Sequence, residues 1–192
     1  MPLAAHHTTA DRHANVTAIE QALFRYARGV DRRDWALVRS AYHPDAVDNH
    51  GSYSGPIDGF VASLVARHAH IAQSLHVISN VLVEFNAPDS ALVESYFTAY
   101  QRLSPSAGAS RQMYLVDEVA SDTDSVDNEA IGRYVDHFTR REGQWRIQRR
   151  DVLFDLYRSR IARRGAPVNP ALIPSVRDRS DLSYVRRQEL GL

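Results

Sequence analysis

The segment Ser74-Leu75-His76-Val77-Ile78-Ser79-Asn80-Val81-Leu82-Val83-Glu84-Phe85 decides the fold of this chain. Apolar residues alternate with smaller or polar ones along it, which predicts a long β-strand. With a period of two, one face carries Leu75, Val77, Val81, Val83 and Phe85, and the other carries His76, Ile78, Asn80 and Leu82. Burying His76 and Asn80 on an apolar face is costly without polar partners. The predicted partner is Asp31, at the end of the first predicted helix.

The first helix is predicted from a capping box. The pattern Thr17-Ala18-Ile19-Glu20 indicates a helix that starts near Thr17, and its apolar periodicity continues to about Asp31. Tyr26 and Asp31 therefore lie near the same helix end. Residues 1–14 are polar and without periodicity, so a flexible leader is expected there.

The remaining elements alternate in a way that predicts an α+β fold. Asp34 is a good N-cap for a short second helix over residues 35–42, and Pro56 suits the first turn of a third. A further strand is predicted over residues 91–102, followed by a loop at 103–112 and by two more strands over residues 130–140 and 144–155. We expect one domain, residues 15–157, with N-terminal helices packed on a curved antiparallel sheet, then an extended tail over residues 158–192.

Composition excludes several classes of function. The 192 residues carry a net charge of zero, so nothing favours nucleic acid or an anionic membrane as a partner. No apolar run could span a bilayer, and the N-terminus lacks the layout of a secretory signal, so a cytoplasmic protein is expected. The chain has no cysteine, and all 23 basic residues are arginine. Thiolate nucleophiles and lysine Schiff bases are therefore impossible.

The pair Asp31 and His76 is the main candidate for chemistry. A carboxylate that holds one imidazole nitrogen fixes the tautomer and leaves the other nitrogen free to move a proton. The alternative is a buried structural pair. Tyr26 could donate to a substrate oxygen or be a core tyrosine. Arg149 and Arg150 point to opposite strand faces, and the inward one could stabilise an oxyanion. The histidines show no familiar metal-ligand spacing, so no metal is expected.

Several segments together resemble the SnoaL-like branch of the nuclear transport factor 2-like superfamily. They are Tyr26-x4-Asp31 followed by Asp34-Trp35, then His43-Pro44-Asp45-Ala46, His76-x3-Asn80 and Trp145-Arg146-Ile147. The resemblance covers residues 15–157 and implies a cone-shaped fold. Members include scytalone dehydratase, the bile acid 7α-dehydratases and hexachlorocyclohexane dehydrochlorinase, which are cofactor-independent lyases and trimers.

The resemblance implies a catalytic set. By position, Asp31 is the orienting carboxylate, His76 the base, and Tyr26 and Arg150 the groups that stabilise a substrate oxygen. Further substrate-binding candidates are Asn80, Asp48, His50, Tyr53, Tyr96, Tyr114 and Trp35. The dehydrochlorinase has a tryptophan near the position of Asp48, so halide loss is not expected here.

We therefore expect a cofactor-independent lyase that acts on a hydrophobic cyclic or aromatic oxygenated molecule. Dehydration is the leading reaction, and carbon–carbon cleavage with release of a small aldehyde uses the same groups. An isomerase or cyclase with the same Asp–His dyad, and a non-catalytic binding module, are the alternatives. The resemblance also implies a homo-oligomer, a homotrimer or else a dimer, without a nucleic acid or membrane partner.

Overall fold

A computed structural model describes residues 9–115, 117–162 and 169–192. Two helices come first, α1 (Thr9–Asp31) and α2 (Trp35–Ser40), followed by strands β1 (Tyr42–His50) and β2 (Tyr53–Pro56) and helix α3 (Ile57–His68). Strands β3 (Ile71–Ala87) and β4 (Ser90–Leu103) precede a 3-10 helix (Pro105–Tyr114) where the sequence predicted a loop. Strands β5 (Val126–Arg141) and β6 (Gln144–Ile161) and helix α4 (Leu182–Glu189) complete the described chain.

The six strands form one curved, unclosed sheet in the order β2-β1-β6-β5-β4-β3. All neighbouring strands are antiparallel except β1 and β6, which are parallel. The turn between β5 and β6 has Glu142 and Gly143 at φ of 52° and 76°, the signs that a two-residue type I′ hairpin requires. Helices α1 and α3 pack on the concave face, which confirms the predicted α+β architecture.

A β-bulge divides β3 and changes the predicted alternation. The register with β4 shifts between Ser79 and Leu82, and Asn80 has a φ of 48°. Before the bulge, Leu75 and Val77 are about half exposed, whereas Val83, of the same predicted face, is buried. A single period-two pattern across the segment was therefore wrong, because the extra residue of a bulge reverses which side chains point inward.

Helix α1 begins at Thr9, eight residues before the predicted start at Thr17, so part of the expected flexible leader is helical. Its added turns have contacts of their own. Oδ1 of buried Asn15 accepts a hydrogen bond from the indole Nε1 of Trp145 at 2.9 Å, and Arg12 lies 5.2 Å from the ring centroid of Phe85. These tertiary contacts extend the helix past the capping box. Residues 1–8 lie outside the described chain.

The sequence predicted an extended C-terminal tail, but part of the tail is helical. Strand β6 continues to Ile161, and helix α4 docks on the N-terminal helices. The hydroxyl of Tyr184 donates to Asp34 at 2.9 Å, and Arg28 lies 4.7 Å from the Tyr184 ring centroid. Arg179 of the tail also donates from Nη2 to Oδ1 of Asp34 at 3.0 Å, so the tail makes specific contacts with the N-terminal part of the fold.

In the described part of the chain, no helix combines the length and the apolar character needed to cross a membrane.

Candidate active site

Asp31 and His76 meet where α1 ends beside β3. Nδ1 of His76 lies 2.7 Å from Oδ1 of Asp31, and the backbone N–H of His76 donates to Oδ2 at 2.8 Å. The hydroxyl of Ser74 donates to Oδ1, also at 2.8 Å. Ser74 and His76 lie on the same face of β3, before the bulge, so both reach one carboxylate. The carboxylate therefore fixes both the ring and the backbone of His76.

The electrostatics of Asp31 favour its charged form. Burial alone raises the pKa of this carboxyl group, but the hydrogen bonds from His76 and Ser74 outweigh burial and lower the pKa below its ordinary value. An ionised Asp31 accepts the proton on Nδ1 of His76 as a hydrogen bond, so Nε2 carries the lone pair. Among the described residues, no protein group bonds to Nε2. This nitrogen can accept a proton from a ligand.

A cavity of about 180 Å³ lies beside His76 between the sheet and the helices. Strand register explains the space: His76 pairs with Ala99, Ala99 with Ala130, and Ala130 with Tyr157. The two alanines leave volume between the larger side chains of this row. The aromatic walls are Phe97, Tyr134, Phe154 and Tyr157, and the polar lining residues are His50, Ser52, Arg67, His76, Gln101 and Asn128. His76 and Asp31 also border a surface groove of about 360 Å³ beside α4.

His50 and Asp48 form a second imidazole–carboxylate pair at this cavity. Nδ1 of His50 lies 3.3 Å from Oδ1 of Asp48. The Asp48 side chain is fully buried, and its Oδ2 accepts a hydrogen bond from the Tyr42 hydroxyl at 2.7 Å. The His50 ring stacks on Phe60 with centroids 5.0 Å apart. Burial lowers the pKa of His50 more than Asp48 raises it, so this imidazole is neutral at neutral pH. The structure thus brings His50 to the cavity and keeps Asp48 behind it.

Arg150 and Tyr26 lie beneath the cavity wall, and not at the cavity as expected. Arg150 is fully buried and donates from Nε and Nη2 to the Asp136 carboxylate at 2.8 and 2.6 Å. Its guanidinium lies between the rings of Tyr26 and Tyr134, 4.4 and 3.9 Å from their centroids. Burial alone would lower the pKa of Arg150, but Asp136 holds it well above the usual value. The paired cation packs against Tyr134, which lines the cavity. Of the two neighbouring arginines, Arg150 therefore points inward and Arg149 lies on the exposed face of the strand.

The other predicted substrate-binding residues lie away from the cavity. Asn80 is exposed at the bulge, and Tyr96 is exposed on the outer sheet face because that register position points outward. The Tyr53 hydroxyl donates to the carbonyl of Pro56 at 2.6 Å, which fixes the start of α3. Trp35 packs edge-on against His68 with centroids 5.8 Å apart. The side chain of Tyr114 lies outside what the structure describes.

Sequence reasoning missed Arg177, a buried residue of the tail that supports the dyad. Nε of Arg177 donates to the backbone carbonyl of Asp31 at 2.8 Å, and Nη2 donates to that of Val30 at 3.1 Å. Nη2 also lies 2.7 Å from Nδ1 of His68. Burial and the nearby Arg33 lower the pKa of Arg177 to about 10, so it stays charged at neutral pH and compensates the negative end of α1. No local pattern signals a contact 146 residues away.

The burial of His68 should make the stability of the protein depend on pH. Burial, Arg67 and Arg177 lower the pKa of His68 far below its ordinary 6.5, so the folded protein keeps it neutral. The unfolded chain takes up that proton as the pH falls below about 6.5. The free energy of unfolding should therefore fall by about 2 kcal/mol for this residue between about pH 6.5 and about pH 5.

Urea denaturation of the wild type and His68→Gln at both pH values measures this dependence. In His68→Gln, the free energy of unfolding should fall less between the two pH values than it does in the wild type. In His70→Gln, at an exposed position, it should fall as much as in the wild type. If the free energy of unfolding of His68→Gln fell with pH as much as that of the wild type, buried His68 would not be the cause of the pH dependence.

Helices packed on a curved, unclosed six-stranded sheet form the α+β fold that the resemblance predicted. The model of the SnoaL-like domain family matches residues 11–151. The chain therefore belongs to the SnoaL-like domain family, which confirms the resemblance drawn from its motifs.

Solved structures share this fold at low sequence identity. A putative scytalone dehydratase from Novosphingobium aromaticivorans is 18% identical, with a TM-score of 0.64 over 86% of this chain and 100% of its own. A type 2 hexachlorocyclohexane dehydrochlorinase, LinA, is also 18% identical, with a TM-score of 0.65 over 86% and 100%. LinA-type3 from Novosphingobium barchaimii is 18% identical, with a TM-score of 0.64 over 83% and 99%. A search of curated proteins found no match.

Proposed function

We propose that this protein is a cofactor-independent lyase in which His76, held by Asp31, removes a proton from a hydrophobic cyclic or aromatic oxygenated molecule. One observation carries the proposal: the 2.7 Å contact from Nδ1 of His76 to Asp31 leaves Nε2 without a described protein partner on a ring that lines an aromatic cavity. The structural neighbours named as a dehydratase and a dehydrochlorinase support the reaction class by analogy.

In the proposed reaction, Nε2 of His76 takes a proton from the carbon next to a substrate carbonyl. The electron pair of that C–H bond forms a carbon–carbon double bond, and the carbon–oxygen bond breaks. The departing hydroxide recovers the proton from the imidazolium and leaves as water, so the enzyme returns to its initial state. Asp31 stabilises the imidazolium while it exists, because its carboxylate faces Nδ1.

Groups other than Arg150 must meet the substrate oxygen in this mechanism. Arg150 is paired with Asp136 and has no exposed surface, so its charge is already compensated. The polar groups at the cavity besides His76 are those of His50, Ser52, Gln101 and Asn128, with Arg67 at its edge. Hydrogen bonds from such groups stabilise developing charge best in a site that excludes water.

A pooled substrate screen tests the proposal. Cyclic hydroxyketones, hydroxysteroids and diaryl alcohols are incubated with the wild type and with His76→Ala, without added metal or nucleotide, and product masses are recorded. We expect loss of water in the wild type and at least about a hundredfold slower turnover in the variant, the usual contribution of a general base. Circular dichroism of His76→Ala shows whether the variant is folded.

Each outcome of the screen has a distinct meaning. Loss of a small aldehyde would assign carbon–carbon cleavage by the same pair. An unchanged mass with a shifted retention time would indicate an isomerase or cyclase. Turnover that persists in folded His76→Ala would exclude His76 as the base.

The homotrimer implied by the resemblance stays a prediction. The outer face of the sheet carries exposed apolar side chains, Leu75, Val77, Leu82, Leu92, Leu153 and Leu156. A patch of this kind commonly marks a protein–protein interface. We propose it as the surface through which copies of the chain associate.

A further inference from the structure

Arg67 is the permanently charged residue of the cavity that contains His76. Thirteen of the residues that the structure describes line this cavity, and neither an aspartate nor a glutamate is among these thirteen. Arg67 belongs to the last turn of α3, is exposed to solvent, and lies at the edge of the cavity. The cavity thus combines apolar walls with one cation at its edge.

The charge of Arg67 is not compensated by a described carboxylate. Within residues 9–115, 117–162 and 169–192, Arg67 takes part in no ion pair, in contrast to Arg133, Arg140 and Arg149. Its hydrogen-bond-range contact is from Nη2 to Nε2 of His68 at 3.4 Å. Nδ1 of neutral His68 accepts from Arg177, so its Nε2 carries hydrogen and cannot accept from Arg67. The guanidinium donors of Arg67 are therefore available to a ligand.

The field of Arg67 acts inside the site. It contributes to the lowered pKa values of His50 and His68, together with burial of both rings. The two carboxylates nearest the imidazoles are not among the described lining residues: Asp31 bonds to Ser74 and His76, and fully buried Asp48 bonds to the Tyr42 hydroxyl. Among the described residues, the lining that a ligand contacts therefore contains one permanent cation and no carboxylate. This balance favours an anionic oxygen group on the ligand.

We propose that Arg67 binds an anionic oxygen group of the substrate, a carboxylate or a phenolate, while the apolar body of the substrate occupies the cavity. A guanidinium presents paired donors that match a carboxylate. The inference rests on the proposed function, since it assigns a substrate class to the same site. Its test does not depend on turnover.

Binding of two matched probes tests the proposal. Naphthoate and naphthylmethanol share an apolar body and differ in charge, and the imidazole signals of His50 and His76 in NMR spectra report binding. We expect naphthoate to bind the wild type at least about tenfold more tightly than the alcohol, as charge-assisted hydrogen bonds imply. Arg67→Met should lose that tenfold preference, and Arg67→Lys should keep part of it. Arg187→Met, at a separate cleft beside α4, should keep all of it.

Equal affinity for the two probes, absence of naphthoate binding, or a preference that survives Arg67→Met would overturn the proposal. The variant changes an exposed side chain, so it should fold. His76→Gln separates this inference from the lyase proposal: its amide can still donate to Asp31, so it should keep the preference for naphthoate while losing turnover. If turnover persists in His76→Gln, the lyase proposal fails and the binding result for Arg67 still stands.

Discussion

Replacing Arg150 by methionine should lower the free energy of unfolding by about 3–5 kcal/mol, because it leaves the buried Asp136 carboxylate without its partner. Both side chains of the pair are fully buried, and the guanidinium also fills the space between Tyr26 and Tyr134. Urea denaturation at neutral pH measures the loss. The effect should be one of the largest that a single substitution in this chain produces.

Two further variants separate charge from volume. Arg149→Met changes the preceding residue of the same strand, whose side chain is exposed and paired with Asp151, and should destabilise the protein far less than Arg150→Met does. Adding Asp136→Asn to Arg150→Met removes the unpaired carboxylate and should recover part of the stability. If Arg150→Met is no less stable than Arg149→Met, the buried ion pair is not a structural requirement.

Asp31→Asn should slow proton abstraction by about 10²- to 10⁴-fold, the range in which a positioned acid–base group contributes. An amide cannot accept hydrogen bonds on both sides as the carboxylate does from Ser74 and from the ring and backbone of His76. One donor must then face the amide NH₂ group, and the tautomer of His76 is no longer fixed. Nitrogen NMR shifts of the His76 ring should show that change directly.

Ser74→Ala is the matched control for Asp31→Asn. It removes one of the hydrogen bonds to Asp31 but keeps the carboxylate and its contact with Nδ1 of His76. We expect a loss of rate of tenfold at most and an unchanged tautomer. A rate in Asp31→Asn equal to that of Ser74→Ala would contradict the orienting role of the carboxylate.

The elements of the fold could be predicted where local patterns decide them. The presence of a long strand at β3, the N-cap at Asp34 and the apolar face of α1 each follow from nearby residues, and the structure confirms them. The start of α1 could not be predicted, because it depends on contacts of Asn15 with a strand 130 residues away. The bulge at Asn80 was also missed, since one extra residue leaves little trace in a hydrophobic pattern.

In the candidate site too, local patterns predict some features, whereas others depend on contacts between distant parts of the chain. The contact of Asp31 with His76 follows from the end of a helix and the face of a strand, and the family pattern reinforces it. Arg150 was assigned to the cavity because its strand position matches the family, but the side chain of Asp136 on β5 draws it into the core. Arg67 and Arg177 carry no motif. Their roles emerge only when α3 and the tail are brought beside the dyad.

The central claim is that the pair His76–Asp31 removes a proton inside the cavity, and the Kemp elimination of nitrobenzisoxazole tests it most directly. In that reaction a base removes one proton from carbon, and a coloured phenolate forms without help from an acid. We predict that the wild type accelerates it at least about a hundredfold over the folded variant His76→Gln, with Asp31→Asn close to His76→Gln. Equal rates in the wild type and His76→Gln would contradict the claim.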